Sequence, residues 1–259
     1  MDPRLTFNEN LINYDKMRPT YVKELFDDII CFSGLDSSKV ALEIGLGTGQ
    51  ATRPFLDIGC KLTAVELGKD MAKFTMTKFA KYDKFSVINC DFESVQLDAN
   101  SYDLVYSATA FHWIAPEVGY PKILDLLKSG GALALFWNHA WPVQNDMYFA
   151  MQEVYAKYRP TSNATIHKLS EENCLKTVET IKSYGFVDVE YKLYQQTRSF
   201  NAADYISLLN TYSDHRAMQD DTRIILENEL HDVIESHGGV VYLDNCMDLY
   251  LGRKNDSHK

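Results

Sequence analysis

Residues 40 to 56 read VALEIGLGTGQATRPFL. A short apolar run enters three glycines at alternate positions, and helical spacing resumes directly behind them. Few folds accommodate that order. The run is short and apolar enough to be a strand buried on both faces. Glycines at its end let the backbone turn tightly and come close to a neighbour. That neighbour is a phosphate, a nucleoside or merely another strand, and the rest of the chain has to decide.

Apolar runs and helical spacing continue to alternate through the first half. Helices are expected over 21–35, 50–59, 69–82 and 118–131, the last closed by two glycines. Strands are expected over 39–47, 61–68, 85–92, within 101–113, and over 132–141. Strands separated by such helices imply βαβ units, right-handed crossovers and a parallel sheet. Such a sheet binds ligands at the carboxyl ends of its strands. The second half is built differently. Helices over 144–158, 169–185, 201–218 and 220–239 accompany strands over 186–200 and 240–254. The helices between these two late strands read as an insertion capping the sheet.

The 259 residues suit one large domain, or one domain carrying a sizeable insertion. With 46% hydrophobic and 24% charged residues, the balance is that of a globular protein. A formal charge of −10 and no basic cluster disfavour nucleic acid and anionic membranes as partners. The short tail from Arg253 to Lys259 is only weakly basic. Five cysteines, scattered and never CxxC, support neither a disulfide framework nor a zinc cage, and no metal site is expected. The N-terminus lacks the apolar core of a signal peptide, and no apolar run approaches a membrane span. A cytosolic, cytoplasmic protein is the expectation.

Glu43-Ile44-Gly45-Leu46-Gly47-Thr48-Gly49-Gln50 is G-x-G-x-G, not the dinucleotide G-x-G-x-x-G, because Gln50 is not small. No Lys-Ser/Thr pair follows, so a Walker-type phosphate loop is rejected. Glu43, Glu66 and Asp91 make the surroundings acidic, which also disfavours a polyphosphate. Glu66 ends the second strand, where an acid can accept both hydroxyls of a ribose. Asp91 ends the third, where it can accept from an adenine amino group beside the apolar face of Phe92. Either acid alone suits a solvated loop carboxylate. Together with the glycines, at the ends of three successive strands, they describe a nucleoside site.

The segments VALEIGLGTGQATRPFL, TAVELGKDM, INCDF, FHWI and LLKSGGALALFWN resemble the ordered motifs of class I S-adenosylmethionine-dependent methyltransferases. The His-Trp pair and the early YDKMRPTY are similar to the small-molecule subgroup that includes trans-aconitate methyltransferase-like proteins. The resemblance covers residues 10 to 141 well and the second half loosely. It implies a Rossmann-like α/β fold, a seven-stranded mostly parallel sheet with helices on both faces. It divides the chain into an N-terminal lid and helix (1–38), a cofactor-binding core (39–141) and a remainder (142–259) with a helical cap at about 201–239. S-adenosylmethionine is the implied cofactor and S-adenosylhomocysteine its product. Gly45, Gly47 and Gly49 would let the backbone approach the cofactor, with Glu43 and Gln50 beside them. Glu66 would bind the ribose, and Leu67, Met71, Asp91 and Phe92 would surround the adenine. Ser107 and Ala108 would offer main-chain groups to the methionine amine. Tyr14 and Arg18 would lie on the lid, Arg18 facing the cofactor carboxylate.

His112, just after the fourth strand, is the candidate catalytic base, and a structural role in the pocket wall stands beside it. Trp113, Asn138, Trp141, Tyr212 and His215 complete the expected substrate set, His139, Ser213 and Arg216 lying close by in sequence. Aromatic side chains around polar groups suit a small molecule, and helix-on-sheet packing equally. The implied reaction is methyl transfer to a small molecule, at oxygen ahead of carbon or nitrogen. An NAD-dependent oxidoreductase and a non-catalytic nucleoside-binding module are the alternatives. Oligomeric state is not legible.

Overall fold

Each strand of the first half leads into a crossover because its apolar residues need covering on both faces. The computed structural model describes residues 11–159 and 169–255. Residues 1–10 of the expected lid and the basic tail after Asn255 lie outside the described residues. Two helices, α1 (Leu11–Met17) and α2 (Lys23–Ser33), precede the sheet. Strand β1 (Val40–Ile44) is followed by α3 (Thr52–Ile58), β2 (Lys61–Glu66), α4 (Lys69–Lys78), β3 (Phe85–Asn89) and β4 (Tyr102–Ala108). Helix α5 (Pro116–Leu126) leads into β5 (Leu127–Pro142). Then come α6 (Asp146–Tyr158), α7 (Glu171–Ser183), β6 (Phe186–Asn201), α8 (Ala202–Leu209), α9 (Ser213–Arg216), α10 (Asp220–Ser236) and β7 (Val240–Lys254).

The strands form one seven-stranded sheet in the order β3-β2-β1-β4-β5-β7-β6. Strands β1 to β5 pair in parallel, and β7 runs antiparallel to both neighbours. The mostly parallel α/β sheet is as expected. Alternate residues serve opposite faces. Leu42, Val105, Leu133 and Leu135 pack with Ile123 of α5 and Ile181 of α7. Ala41, Leu104, Ala134 and Phe136 pack on the other side with Leu25 and Ile29 of α2 and Phe55 of α3. A third cluster lies under α8 and α10, where Tyr205, Leu208, Leu226 and Leu230 meet Met147 and Met151 of α6, Val241 and Leu243 of β7, and Met17 of α1. Sequence order reverses direction between β1 and β4, the switch point at which such sheets leave a crevice. Among the described residues, no helix is long and apolar enough to cross a membrane.

Two expected elements are corrected. The helix placed over 118–131 stops at Leu126, and Gly130 and Gly131 belong to the entry of β5. The ladder passes from Tyr102↔Leu127 to Leu104↔Ala132, so Lys128–Gly131 bulge out of it. A Cβ at Gly131 would lie 2.9 Å from the carbonyl oxygen of Lys128, so glycine is needed for the bulge, not for a helix cap. The helix placed over 201–218 is two helices, broken at residues 210–212. There Thr211 turns its hydroxyl onto the Leu208 carbonyl at 2.7 Å, and its own carbonyl accepts from Arg18 at 2.7 Å.

Candidate active site

The glycine loop is held by backbone contacts from several directions. Gly45, Gly47 and Gly49 all have positive φ, at 70°, 56° and 84°. A Cβ on Gly45 would sit 2.5 Å from the Cβ of Ala110, so the loop after β4 rests directly on its backbone. The Gly47 amide donates to Glu66 Oε2 at 2.9 Å, and its carbonyl accepts from Thr75 Oγ1 at 2.9 Å. Gly49 serves packing: a Cβ there would lie 2.5 Å from the Phe79 ring.

Around this loop lies a cavity of about 290 Å³ at the carboxyl ends of β1, β2 and β4 and just past β3. Glu66, only 8% exposed, points both carboxylate oxygens at main chain, Oε1 accepting from Gly68 at 2.7 Å and Oε2 from Gly47. Burial raises its pKa, and these amide donors work against the shift. Asp91 accepts from the Ser94 amide and hydroxyl, both at 2.7 Å, which fixes the turn after β3. Phe92 is buried beside it, with the Lys122 ammonium 5.2 Å from its ring centroid. Arg18 lies between the rings of Tyr14 and Tyr212, at 4.9 and 4.8 Å. The short 3₁₀ turn Phe111–Trp113 brings His112 to the cavity and leaves Trp113 43% exposed at its edge. Asn138 is oriented from two sides, donating to the Thr20 carbonyl at 3.4 Å and accepting from Asn245 at 2.6 Å.

Tyr14, Arg18, Gly45, Gly47, Gln50 and Glu66 of the expected set line this cavity, as do Leu67, Met71, Asp91, Phe92 and Ala108. His112, Trp113 and Asn138 line it as well. The other expected residues do not. Glu43, 1% exposed, accepts from Thr52 and Tyr106 at 2.7 and 2.9 Å, and burial pushes its pKa up to about 8. Gly49 faces α4, and Ser107 donates to the Ile44 carbonyl at 2.8 Å. Trp141 stacks on His139, with centroids 5.9 Å apart, and lines a second cavity with Gln195 and Thr197. Tyr212 seats Arg18 without lining the cavity. His215 is buried in the cap against Tyr155, their polar atoms 3.3 Å apart.

Other cavity residues were not in the expected set. Tyr21 and Thr109 share a hydrogen bond of 2.7 Å, and Thr109 has a positive φ of 52°. A β-branched residue in that conformation is strained, and such strain gathers at functional sites. Ala110 packs on Gly45. Tyr21 stood inside the quoted YDKMRPTY segment, so a signal existed for it. Nothing in the sequence marks Thr109. Among the described residues, no group of three or more His, Cys, Asp or Glu side chains forms a metal site.

Carboxylates at two strand ends, a glycine loop at the switch point and a cavity between them define a nucleoside-binding α/β protein. Residues 42–135 match the family model described as a methyltransferase domain. The chain is 24% identical over 245 residues to an uncharacterized methyltransferase of Schizosaccharomyces pombe, covering 89% of this chain and 88% of that one. It is 30% identical over 160 residues to a probable S-adenosylmethionine-dependent methyltransferase of Saccharomyces cerevisiae, covering 60% and 53%. A phosphoethanolamine N-methyltransferase of Haemonchus contortus shares the fold, with a TM-score of 0.55 and 14% identity over 96% of this chain and 57% of that one. Residues 42–135 are therefore a methyltransferase domain, and the chain has the fold of, and is similar in sequence to, S-adenosylmethionine-dependent methyltransferases. The oxidoreductase alternative falls with that assignment.

Proposed function

We propose that this chain methylates a small molecule at oxygen, in the cavity between the strand ends, the N-terminal segment and the 3₁₀ turn. One observation carries the proposal: a single cavity holds both Glu66, Asp91 and Phe92, suited to a nucleoside, and His112, Trp113 and Asn138, suited to an acceptor. The donor set fits the cofactor. Glu66 accepts from the Gly47 and Gly68 amides, with the Leu67 amide beside them, and keeps lone-pair capacity for a ribose hydroxyl. Leu67, Met71 and Phe92 offer apolar walls to a purine, and Asp91 an acceptor to its amino group. Arg18 supplies the cation for a carboxylate, and Gly45, Gly47 and Ala108 supply main chain. Glu66, Asp91 and Glu93 give the cavity an acidic balance that favours a sulfonium over a polyphosphate.

When bound, S-adenosylmethionine supplies a methyl group that is already activated. The side chains here therefore have to orient an acceptor and keep water out. His112 and Asn138 bring polar atoms to the cavity, and Trp113 shields its edge. A small acceptor also fits the net charge of −10, which disfavours nucleic acid. The Haemonchus neighbour, crystallised with phosphomonomethylethanolamine and S-adenosylhomocysteine, is an example of small-molecule methylation on this fold.

Isothermal titration with S-adenosylmethionine, S-adenosylhomocysteine and NAD tests the site. The first two should bind, and Glu66→Ala should weaken them by about 100-fold, the loss expected for two hydrogen bonds to a charged acceptor. NAD should not bind. A Glu66→Ala affinity within threefold of wild type would remove the assigned ribose contact. Mass spectrometry on a panel of carboxylic acids, phenols and amines then locates the transferred methyl group. A product methylated only at nitrogen or carbon overturns the oxygen assignment.

A further inference from the structure

His112 enters the cavity with one ring nitrogen already committed. The indole N–H of Trp137 donates to its Nδ1 at 3.1 Å. An indole nitrogen only donates, so Nδ1 must present a lone pair. A neutral imidazole then carries its proton on Nε2. A base role needs the reverse arrangement, with a free lone pair on Nε2 and an N–H on Nδ1 facing the indole N–H. Partial burial and the nearby His139 lower the pKa of His112, which favours the neutral ring.

Trp137 is itself well held. It lies on β5 opposite Asp248 of β7, with its ring edge-on to Tyr250 at 5.9 Å. The Tyr250 hydroxyl donates to Asp248 at 2.9 Å, and the other Asp248 oxygen meets His139 Nε2 at 3.0 Å. The titratable groups sharing the cavity with His112 are Glu66, Cys90, Asp91 and Glu93 at the strand ends and Tyr14, Arg18 and Tyr21 on the N-terminal segment. His139 stands behind it on β5. Of the acids, Glu66 and Asp91 already accept from Gly47, Gly68 and Ser94.

We propose that Trp137 is a positioning residue that fixes His112 as its Nε2–H tautomer, so that His112 donates a hydrogen bond to the methyl acceptor and takes no proton from it. The proposal rests on the cavity being the methyl-transfer site. An acceptor oxygen gives its own electron pair to the new C–O bond, and the pair of the breaking C–S bond stays on sulfur. No proton passes through His112 in that exchange. The acceptor class is an oxygen already anionic near neutral pH, ahead of an alcohol.

Nitrogen NMR of histidine-labelled protein near neutral pH reads the tautomer without any turnover, with His112→Gln assigning the signals. Wild type should show His112 protonated at Nε2 and bare at Nδ1. Trp137→Phe keeps the ring packing and loses the N–H. It should shift the tautomer ratio by about fivefold, the weight of one neutral hydrogen bond. An Nδ1–H tautomer or a charged ring in wild type overturns the proposal, and so does an unchanged ratio in Trp137→Phe. The wild-type spectrum stands even if that variant fails to fold. S-adenosylhomocysteine titrated into the same samples separates the two failures. Loss of binding in wild type defeats the cavity assignment, whereas normal binding with the wrong tautomer defeats only the role of Trp137.

Discussion

The two halves of the site are built by different means. Toward the nucleoside, the contacts come from consecutive strand ends and their loops, and most run through main chain: Gly45 on Ala110, Gly47 and Gly68 on Glu66, Ser94 on Asp91. Toward the cap, side chains come from segments far apart in sequence. Arg18 reaches Thr211, Asn13 reaches the Ser207 carbonyl at 2.9 Å, and Arg198 reaches the Met17 carbonyl at 3.2 Å. A cofactor common to many enzymes suits a backbone cradle that tolerates little change. The side chains that fasten the N-terminal segment to the cap can change singly.

The largest way to stress the contrast is pH. His215 is 3% exposed in the cap, and burial lowers its pKa to about 4. The unfolded chain, near 6.5, takes up the proton first. The stability that neutral His215 contributes is therefore complete above about pH 6.5 and is lost as pH falls towards 4, amounting to roughly 3 kcal/mol. Urea melts at pH 7 and pH 4.5 should show this loss, and His215→Leu should remove much of the slope. A wild-type slope that survives in His215→Leu would move its origin elsewhere.

Next in size is a pair of glycine variants. Gly49→Ala should cost about 2–3 kcal/mol, from a strained φ and the clash with Phe79. Its folded fraction should bind S-adenosylhomocysteine within threefold of wild type, because Gly49 lies off the cavity. Gly45→Ala should destabilise comparably and also weaken binding, since it displaces Ala110, which lines the cavity. Equal binding losses in both would erase the distinction between packing and ligand glycines. The smallest effect is expected of Tyr212→Leu. Losing one ring from Arg18 should weaken S-adenosylhomocysteine by about threefold, a modest cation–π contribution. No change would mean that the guanidinium is seated without the Tyr212 ring, its contacts with Tyr14 and the Thr211 carbonyl remaining.

The same contrast governs what the sequence could tell. Strands β1 to β4 and the acids beyond them were legible because buried parallel strands are short apolar runs with glycines or carboxylates at their ends. Glu66, Asp91, Gly45 and Gly47 are placed by position alone and line the cavity, whereas Gly49 turns to Phe79. The entry to β5 was misplaced because a glycine pair looks the same in a bulge and in a helix cap. Aromatic and polar residues on a cap, Tyr212 and His215 among them, cannot be sorted from sequence into lining and core. Trp137 was hidden for a related reason. Its partner, His112, is set by how the 3₁₀ turn packs on β5, and no local pattern encodes that.

Arg18 joins the two halves, and this bears on timing. The segment carrying Tyr14, Arg18 and Tyr21 forms one wall of the cavity and is fastened to the cap through Ser207, Thr211 and Arg198. It cannot swing away from the strand ends without loosening the cap. Under the proposed function, departure of the spent cofactor and exchange of the acceptor would share a single opening event. The residence time of both would then follow the same few hydrogen bonds.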